Sequence, residues 1–498
     1  MIKISRILMV LSVLLLNGCV QEPPAHLDIF YTADVQGFYH SRLEPRFSNQ
    51  PAGGYGVLKN FLAARTEPYL FFDGGNWFGV APEAAMTQGS FVVPFLKALP
   101  CSAASVSEQD FAYGWPVLRT IVRDLSYPVL VSNLKLDNQI PWPLHDYHIF
   151  TRGTLKIGVF GLVSPNVVQT NRNRLTGFTV EDPVEAARRM VALLQQKGVD
   201  FIILLSSLGD NTPDTPADAL LAEEVSGIHL ILSANKDREM PETDRINQTY
   251  LVYPGSKLDS VAHIRLEFDK NNQIRDLSFE DIALLRHNWG EDPELATVSL
   301  RMQQDTQHKL NARISTVPER ISTSLVRESP LGDLLATCLH RWSRLDGAIL
   351  NADSIRSALP EGTITEYDVY KMYPYGDNIT FLTIKGAAFI KALEASLEAK
   401  DNFPQIAGFS VEYNPEAPAG ERIRKITLSK GRVLRPQDTY RFAVTDHVLA
   451  GGFGHDYFID SLEFKNTFVD ARQIMRACLI RQKKIIPPLR TERWKIVP

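Results

Sequence analysis

Short apolar runs alternate with amphipathic helical stretches through the first half of this 498-residue chain. The apolar runs lie at residues 26–31, 68–72, 128–131, 155–162, 201–205 and 229–232. Two of the helical stretches cover residues 57–65 and 183–197, and segments 251–253 and 261–268 are predicted to be closing strands. Strands that alternate with helices predict an α/β architecture in which most strands are buried on both faces.

A polar helical segment without Gly or Pro, from Glu294 to about Arg313, separates this pattern from a second unit. The second unit has its own predicted strands near residues 347–350, 379–384, 409–413 and 440–444. We predict five parts: a signal peptide over 1–18, a linker over 19–25, a large domain over 26–290, a helical connector over 291–315 and a smaller domain over 316–498.

Composition excludes several classes of protein. Hydrophobic residues make up 44% of the chain and charged residues 22%, which is typical of soluble globular protein. The formal net charge is −4. A chain without a basic surplus lacks the electrostatic footprint of nucleic-acid binding, so we predict no nucleic-acid partner.

The N-terminus has the pattern of a targeting segment. Lys3 and Arg6 precede an apolar stretch over 7–16 that is too short to span a bilayer. Leu16-Asn17-Gly18-Cys19 resembles the lipobox of bacterial lipoproteins, which implies that Cys19 becomes the lipidated first residue and anchors the protein to a membrane. The alternative is an ordinary secretory signal with a chance cysteine.

The predicted location is therefore the cell envelope. Val20 follows the cysteine where Asp would otherwise stand, which favours the outer membrane, facing the periplasm or the cell surface, in a Gram-negative source. Without Cys19, three cysteines remain, Cys101, Cys338 and Cys478, and they allow one disulfide at most in an oxidising compartment. Eleven histidines are enough for a metal site, so their positions decide whether one exists.

Polar loops follow four of the predicted elements in the first half. They are Thr32–Gly37, Asp73–Asn76, Val106–Gly114 and Leu204–Gly209. The ends of buried strands are the usual place for α/β active sites. Taken alone, the same loops are better explained as solvated turns.

Motifs in the second half follow one another in a recognisable order. They are Glu328–Asp333, Asn351–Arg356, Gly362–Thr365, Tyr373–Asn378, Phe403–Gly408 and Ala450–His455. Together they resemble the two-domain 5′-nucleotidase family, which includes periplasmic UDP-sugar hydrolases. The resemblance covers nearly the whole chain after the signal peptide. It implies a four-layer αββα metallophosphoesterase-like sandwich carrying two divalent metals, followed by a smaller α/β domain that binds the nucleoside.

The resemblance also implies ligand-binding residues in the second domain. The loop from Asn351 to Arg356 matches the family loop whose Arg contacts phosphate or carboxylate groups, and the guanidinium fork suits that role. The alternative for Arg356 is a surface salt bridge. We nevertheless predict that Asn351 and Arg356 contact the ligand.

Two aromatic residues in the family sandwich the base. Phe403 matches the first of them, although a core position is an equally good explanation. The second position carries His455 where the family has an aromatic residue after Gly-Gly-Asp-Gly. Phe453 or Tyr457 could take its place, or the clamp could be half lost.

The first half departs from the family at its metal ligands. Asp34 is kept, but the family's ligand and catalytic positions carry Gln36, Asn76, Glu108, Gln109, Ser207, Asn235 and Asp237. Two divalent ions need a bridging anion and several imidazoles or carboxylates. Asn76 is neutral, and Gln109, which replaces the catalytic His, cannot protonate a leaving group. Lys236 adds a positive charge where cations would lie.

Four carboxylates remain near these positions. Asp34, Glu108, Asp110 and Asp237 could together hold one hard ion such as Mg²⁺ or Ca²⁺. The alternative is that they are solvated or pair with Lys236 and Arg238. We therefore expect no cofactor, or at most one divalent metal ion.

Three hypotheses follow. The leading one is a membrane-anchored 5′-nucleotidase-like protein that binds a nucleotide-like ligand or an envelope protein, with phosphohydrolase activity lost or strongly altered. The second is an active nucleotide phosphohydrolase that uses an oxygen-rich metal site. The third is a structural envelope lipoprotein.

Overall fold

The computed structural model describes residues 26–79, 81–171, 174–212, 215–234, 241–269, 272–399, 401–449, 451–453, 458, 461–482, 484–485 and 492–498. The predictions for the signal peptide, the linker and Cys19 lie outside the described residues. The same holds for Asn235, Asp237, His455 and Tyr457, whose roles stay predictions.

The first half contains seventeen strands among the described residues. They are β1 His26–Thr32, β2 Arg42–Glu44, β3 Gln50–Ala52, β4 Tyr69–Asp73, β5 Ala103–Ala104, β6 Leu134–Leu136, β7 Tyr147–Arg152, β8 Leu155–Val163, β9 Phe178–Val180, β10 Phe201–Ser207, β11 Asp210–Thr212, β12 Thr215–Pro216, β13 Leu230–Ser233, β14 Glu242–Ile246, β15 Thr249–Tyr253, β16 Ser260–Phe268 and β17 Ile274–Ala283. Its helices are α1 Tyr55–Ala63, α2 Pro82–Thr87, α3 Val93–Ala98, α4 Trp115–Arg123, α5 Asn166–Thr170, α6 Pro183–Gln196, α7 Ala217–Glu224, α8 Arg286–Trp289 and α9 Pro293–Leu310.

Two sheets pack face to face in this half. One has the order β17-β16-β1-β4-β5 and the other β14-β15-β13-β10-β8-β7. Apolar residues of both inner faces, such as Ile29 and Ile203, form one buried cluster between the sheets. Phe30, next to Ile29, faces the opposite way and packs with α1 and α3, while α6 and α7 cover the outer face of the second sheet. The predicted four-layer αββα sandwich is confirmed.

Parallel pairing brings the predicted polar loops to common edges. β1 and β4 run parallel with Thr32 opposite Asp73 at their carboxyl ends, and β10 and β13 run parallel with Ser206 opposite Ser233. Carboxyl ends of parallel strands meet at one edge of a sheet, so the loops that follow them lie together.

The helix α9 leads into the second half. This half contains β18 Arg313–Val317, β19 Gly347–Asn351, β20 Gly362–Thr365, β21 Asn378–Lys385, β22 Pro404–Ala407, β23 Phe409–Tyr413, β24 Ile423–Leu428, β25 Thr439–Thr445, β26 Glu463–Asp470 and β27 Trp494–Ile496. Its helices are α10 Pro330–Ser343, α11 Glu366–Met372, α12 Gly386–Ser396, α13 Asp446–Leu449 and α14 Ala471–Arg481.

The second half is built on a sheet of order β22-β19-β25-β21-β26, with a small sheet β24-β23-β27 beside it. Helices α10 and α14 pack on one face and α12 on the other. A disulfide joins Cys338 of α10 to Cys478 of α14, with a Cα–Cα distance of 5.8 Å, and Cys101 is free. This is the one disulfide that the cysteine count allowed. Within the described part of the chain, no helix has the length and apolar character needed to cross a bilayer.

Candidate functional site

Two loops are locked together where β1 and β4 end. Backbone N–H groups of Asp34 and Gln36 donate to the carbonyls of Gly75 (3.1 Å) and Asn76 (2.7 Å). Asp34, Gln36 and Asn76 all lie in the left-handed region, with φ of 52°, 53° and 60°. That conformation is uncommon outside glycine and is sustained here by the paired loops. Three of the predicted ligand positions are therefore held side by side.

The Asp34 carboxylate is engaged by the residue that replaces the bridging aspartate. Asn76 Nδ2 donates to Asp34 Oδ1 at 2.9 Å, and both side chains are buried. An amide N–H donor therefore occupies Oδ1 of the Asp34 carboxylate. Asn76 Oδ1 is buried and has no hydrogen-bond partner among the described residues.

Asp73, which the sequence argument mentioned only as part of a loop, organises this edge. Its carboxylate accepts from Thr32 Oγ1 (2.8 Å), Trp77 Nε1 (2.7 Å) and the Gly75 N–H (2.9 Å). Complete burial raises the pKa of Asp73 to about 6, against the effect of these donors. Asp73 is thus a buried structural group that shapes the loop and has no free oxygen facing a ligand.

Asp110 has a similar structural role. Its two carboxylate oxygens accept the backbone N–H groups of Asn76 (2.7 Å), Trp77 (2.7 Å) and Ser107 (2.9 Å). Burial raises the pKa of Asp110 to about 7, and the nearby charge of Asp73 acts in the same direction. The structure therefore places Asp110 behind the loop, where it cannot join Asp34 as a metal ligand without giving up these bonds.

Glu108 and Gln109 lie in a short 3-10 helix, Glu108–Phe111, and line a cavity of about 240 Å³. Gln109 is exposed, and the Glu108 carbonyl accepts from Asn171 Nδ2 at 3.3 Å. This cavity also includes Asp353 and Tyr375 of the second half. The position of the family's catalytic histidine therefore faces a cleft between the two halves.

Ser207, which stands at another ligand position of the resembling family, lies at the end of β10 in the second sheet. The Ser207 hydroxyl is buried without a hydrogen-bond partner among the described residues. Ser206 and Ser233 donate to the two carboxylate oxygens of Asp218, a fully buried residue of α7 that sequence reasoning did not identify. A Cβ added at Gly74 would lie 2.9 Å from the Cβ of Ala234, so the two sheets approach closely here.

The residues at the matched positions do not fit the family's two-metal centre. Asp34 supplies one carboxylate, Asn76 directs an amide donor at it, and Ser207 is neutral. None of the eleven histidines occupies a matched ligand position. Two divalent ions would lack both the bridging anion and the charge to neutralise them.

A separate group of potential ligands lies at the opposite end of β1. His26, Asp28 and Glu67 have ligand atoms within 4.8 Å of one another. Arg265 places Nε and Nη2 at 2.9 and 3.0 Å from the Asp28 carboxylate, and His263 Nε2 lies 2.6 Å from it. A cation would have to displace this guanidinium, so the arrangement is an ion-pair network on the surface.

The matched binding loop of the second half follows β19. Asn351 is fully buried, and its Nδ2 donates to the Asp353 carboxylate. Arg356 is exposed, with its guanidinium carbon 5.8 Å from the ring centroid of Tyr375, which lines the 240 Å³ cavity. Arg356 Nη1 donates to the Asp353 carbonyl at 3.4 Å, and among the described residues it has no carboxylate ion-pair partner.

The predicted aromatic clamp is incomplete in the described residues. Phe403 is half-buried and packs edge-on against Trp494, with a centroid distance of 5.0 Å. Phe453, offered as a substitute for His455, is 3% exposed and belongs to the core with Phe458. Phe453 therefore cannot stack on a ligand, because it is covered by protein.

Arg174, in the loop after α5, links the two halves, and sequence reasoning missed it. Its Nη2 donates to the carbonyl of Gly376. It lies close to Asp446, whose pKa is raised to about 7 by burial and by the charge of Asp377, while Arg174 acts in the opposite direction. Nothing in the sequence around Arg174 predicts a hydrogen bond to Gly376, which lies 202 residues later in the chain.

A larger cavity of about 760 Å³ adjoins the first and shares Tyr113 and Arg174 with it. Its charged lining residues are Arg174, Lys309, Arg472 and Arg476 against Glu366 and Asp470, with His308 in addition. Cations outnumber anions along its wall. A concave surface with such an excess attracts anions.

Comparison with known proteins agrees with this architecture. Residues 312–460 match the family model described as 5′-nucleotidase, C-terminal domain. A bovine 5′-nucleotidase is 23% identical over 88% of this chain and 85% of its own length, and a 5′-nucleotidase of Vibrio cholerae is 22% identical over 92% of both. The crystal structure of a 5′-nucleotidase precursor from Thermus thermophilus, 21% identical, superposes over 95% of this chain and 99% of that one with a TM-score of 0.70.

The fold and the paired loops define a metallophosphoesterase-like sandwich joined to a smaller α/β domain. The chain is similar along most of its length to two-domain 5′-nucleotidases, so the predicted resemblance to that family is confirmed, and residues 312–460 match the model of its C-terminal domain. The domain boundaries and the roles of individual site residues stay predictions.

Proposed function

We propose that this protein binds a nucleotide-like anion in the cleft between its two domains and has lost the family's phosphohydrolase activity. The observation that carries the loss is the hydrogen bond from Asn76 Nδ2 to Asp34 Oδ1 (2.9 Å) at the position of the bridging ligand. Without a bridging anion, hydroxide is not generated between two metals, which is the chemistry that such a centre supplies. Gln109 also cannot donate the proton that a leaving group needs.

Retention of binding is supported by the cleft itself. Arg356 lies beside Tyr375, and Arg174, Arg472 and Lys309 line the adjoining cavity. Guanidinium groups pair well with phosphate oxygens. Replaced residues at the catalytic positions and a larger cavity with an excess of cations together favour a protein that holds its ligand without turning it over.

The test uses the chain from residue 20 onward, without Cys19, so that the protein is purified unanchored. We expect calorimetry to detect binding of AMP or UMP, and Arg356→Ala to weaken that binding about tenfold or more, as loss of a charge-assisted contact would. The matched control is Arg424→Ala, since Arg424 is an exposed arginine of β24 in the same domain. If neither nucleotide binds, the structural role gains support and the proposed binding is wrong.

The second candidate is a phosphohydrolase with a single hard ion. It is favoured by the buried oxygens Asn76 Oδ1 and Ser207 Oγ, which have no hydrogen-bond partner among the described residues. Phosphate release is therefore measured with added Mn²⁺, Zn²⁺, Mg²⁺ or Ca²⁺. We expect none above background. Metal-dependent release that disappears in Asp34→Ala would overturn the proposed loss of activity.

We also propose that the protein is held at the cell envelope by a lipid on Cys19. The Cys338–Cys478 disulfide supports an oxidising compartment, because such bonds are rare in the cytosol. Mass spectrometry of the protein isolated from membranes should find an acylated Cys19 at the N-terminus. An unmodified N-terminus elsewhere would contradict the anchor.

A further inference from the structure

Three aromatic side chains meet at the outer edge of the second domain. Trp494 of β27 is flanked by Phe403 and Tyr413, with ring-centroid distances of 5.0 and 5.4 Å and interplanar angles of 63° and 82°. The three rings line a cavity of about 310 Å³. The rings of Phe403 and Tyr413 each stand at a steep angle to the ring of Trp494. Rings arranged in this way form the sides of an aromatic cage.

The backbone explains why these rings come together. β27 pairs in parallel with β23, which places Trp494 opposite Val411, two residues before Tyr413. Trp494 Nε1 donates to the carbonyl of Pro404 at 3.1 Å, which fixes the indole beside Phe403. Strand pairing therefore fixes Trp494 relative to Tyr413, and the hydrogen bond to the Pro404 carbonyl fixes Trp494 relative to Phe403.

The rest of the cavity is acidic. Glu328, Asp333 and Glu492 line it together with one cation, Arg327. Glu328 accepts from the backbone N–H groups of Arg493 (3.1 Å) and Trp494 (3.4 Å), and Arg493 Nη1 lies 3.2 Å from Asp333 Oδ1. Burial and the neighbouring Asp333 raise the pKa of Glu328 to about 7, so near neutral pH Asp333 and Glu492 supply most of the negative charge at this wall.

This cavity is distinct from the cleft of the proposed function. None of its described lining residues comes from the loop Asn351–Arg356 or from the first domain. It also differs in charge from the larger, 760 Å³ cavity of the cleft, whose lining has more cations than anions. Phe403, which the resemblance assigns to the clamp around the base, is one of its lining residues.

We propose that this cage binds an alkylammonium cation, such as a quaternary trimethylammonium group. Ring faces attract such cations through their quadrupoles, and a carboxylate wall adds a longer-range attraction. Among the described residues, no group of three metal-ligating side chains converges at this cavity, which disfavours a simple metal ion.

The test measures choline binding by calorimetry and by tryptophan fluorescence. We expect saturable binding of choline and none of 3,3-dimethyl-1-butanol, which has the same shape without the charge. Tyr413→Leu and Trp494→Leu should each weaken choline binding about tenfold, which corresponds to a desolvated cation–π contact. Glu328→Gln should weaken it as well.

Trp342→Leu is the matched control, since Trp342 lies on α10 outside the cavity and is 39% exposed. It should leave choline binding unchanged. Thermal unfolding of each variant identifies those that fail to fold, and Tyr413→Phe then serves as a milder change that keeps the ring and the binding. Equal binding of choline and its neutral isostere, or no binding of choline to the folded wild type, would overturn the proposal.

Discussion

At the scale of single residues, the candidate site is defined by what each carboxylate already binds. Asp73 and Asp110 are turned toward backbone and indole N–H donors, and Asp34 is turned toward Asn76. The sequence could not distinguish these carboxylates from metal ligands, because all of them follow buried strands. Hydrogen-bond partners, which only the folded loops supply, make the distinction.

The first prediction concerns Asp110. Its folded-state pKa is raised to about 7, so between about pH 4 and about pH 7 the folded protein keeps a proton that the unfolded chain has released. This group therefore stabilises the fold most below about pH 4, and the stabilisation is lost as pH rises through about 7. In Asp110→Asn that loss is absent. The unfolding free energy of the wild type minus that of the variant, measured by urea titration, should therefore fall between about pH 4 and about pH 8.

The control for Asp110 is Asp276→Asn, since Asp276 is exposed on β17. Its unfolding free energy should follow that of the wild type with pH. If the curves of wild type and Asp110→Asn run parallel across the range, the titration assigned to Asp110 is wrong.

At the scale of elements, the helices α10 and α14 are the clearest case of two segments joined only by the fold. They pack on the same face of the second sheet although 140 residues separate the bonded cysteines. The helical patterns were readable in the sequence, but their pairing was not, because three cysteines allow three different disulfides.

The second prediction is that removal of this disulfide lowers stability. The double variant Cys338→Ala/Cys478→Ala should lose about 2–4 kcal/mol of unfolding free energy, mainly because the unfolded chain gains freedom. Guanidinium unfolding without reductant measures the change. The free Cys101 provides the control, because Cys101→Ser leaves the disulfide intact. Equal stability of wild type with and without reductant would contradict the prediction.

At the scale of the whole molecule, the two domains are joined by α9 and by contacts across the cleft. Arg174 of the first domain donates to Gly376 of the second, next to the buried pair Asp377 and Asp446. The nucleotide-like ligand of the proposed function would lie beside this contact. We therefore expect the hydrogen bond between Arg174 and Gly376 to limit how far the two domains can separate.

The third prediction is that Arg174→Ala loosens the domain contact. We expect faster amide hydrogen exchange at residues 374–378 and a larger radius of gyration by X-ray scattering, because one charge-assisted bond across the cleft is lost. Arg188→Ala is the control, since Arg188 is exposed on α6 and pairs with Glu185. Identical exchange and scattering in wild type and Arg174→Ala would show that this contact does not hold the domains.

The amino-acid sequence was enough to predict the class of fold and to show which residues stand at the positions that the family resemblance assigns to metal ligands. Strand and helix patterns are local, and ligand identities are read directly, so Asn76, Gln109 and Ser207 were visible as replacements. The neighbours of these residues became known only from the folded structure. It turned the Asn76 amide onto Asp34, buried Phe453, linked Arg174 to Gly376 and brought Trp494 to Phe403. Those contacts join residues tens to hundreds of positions apart, and no local pattern encodes such distances.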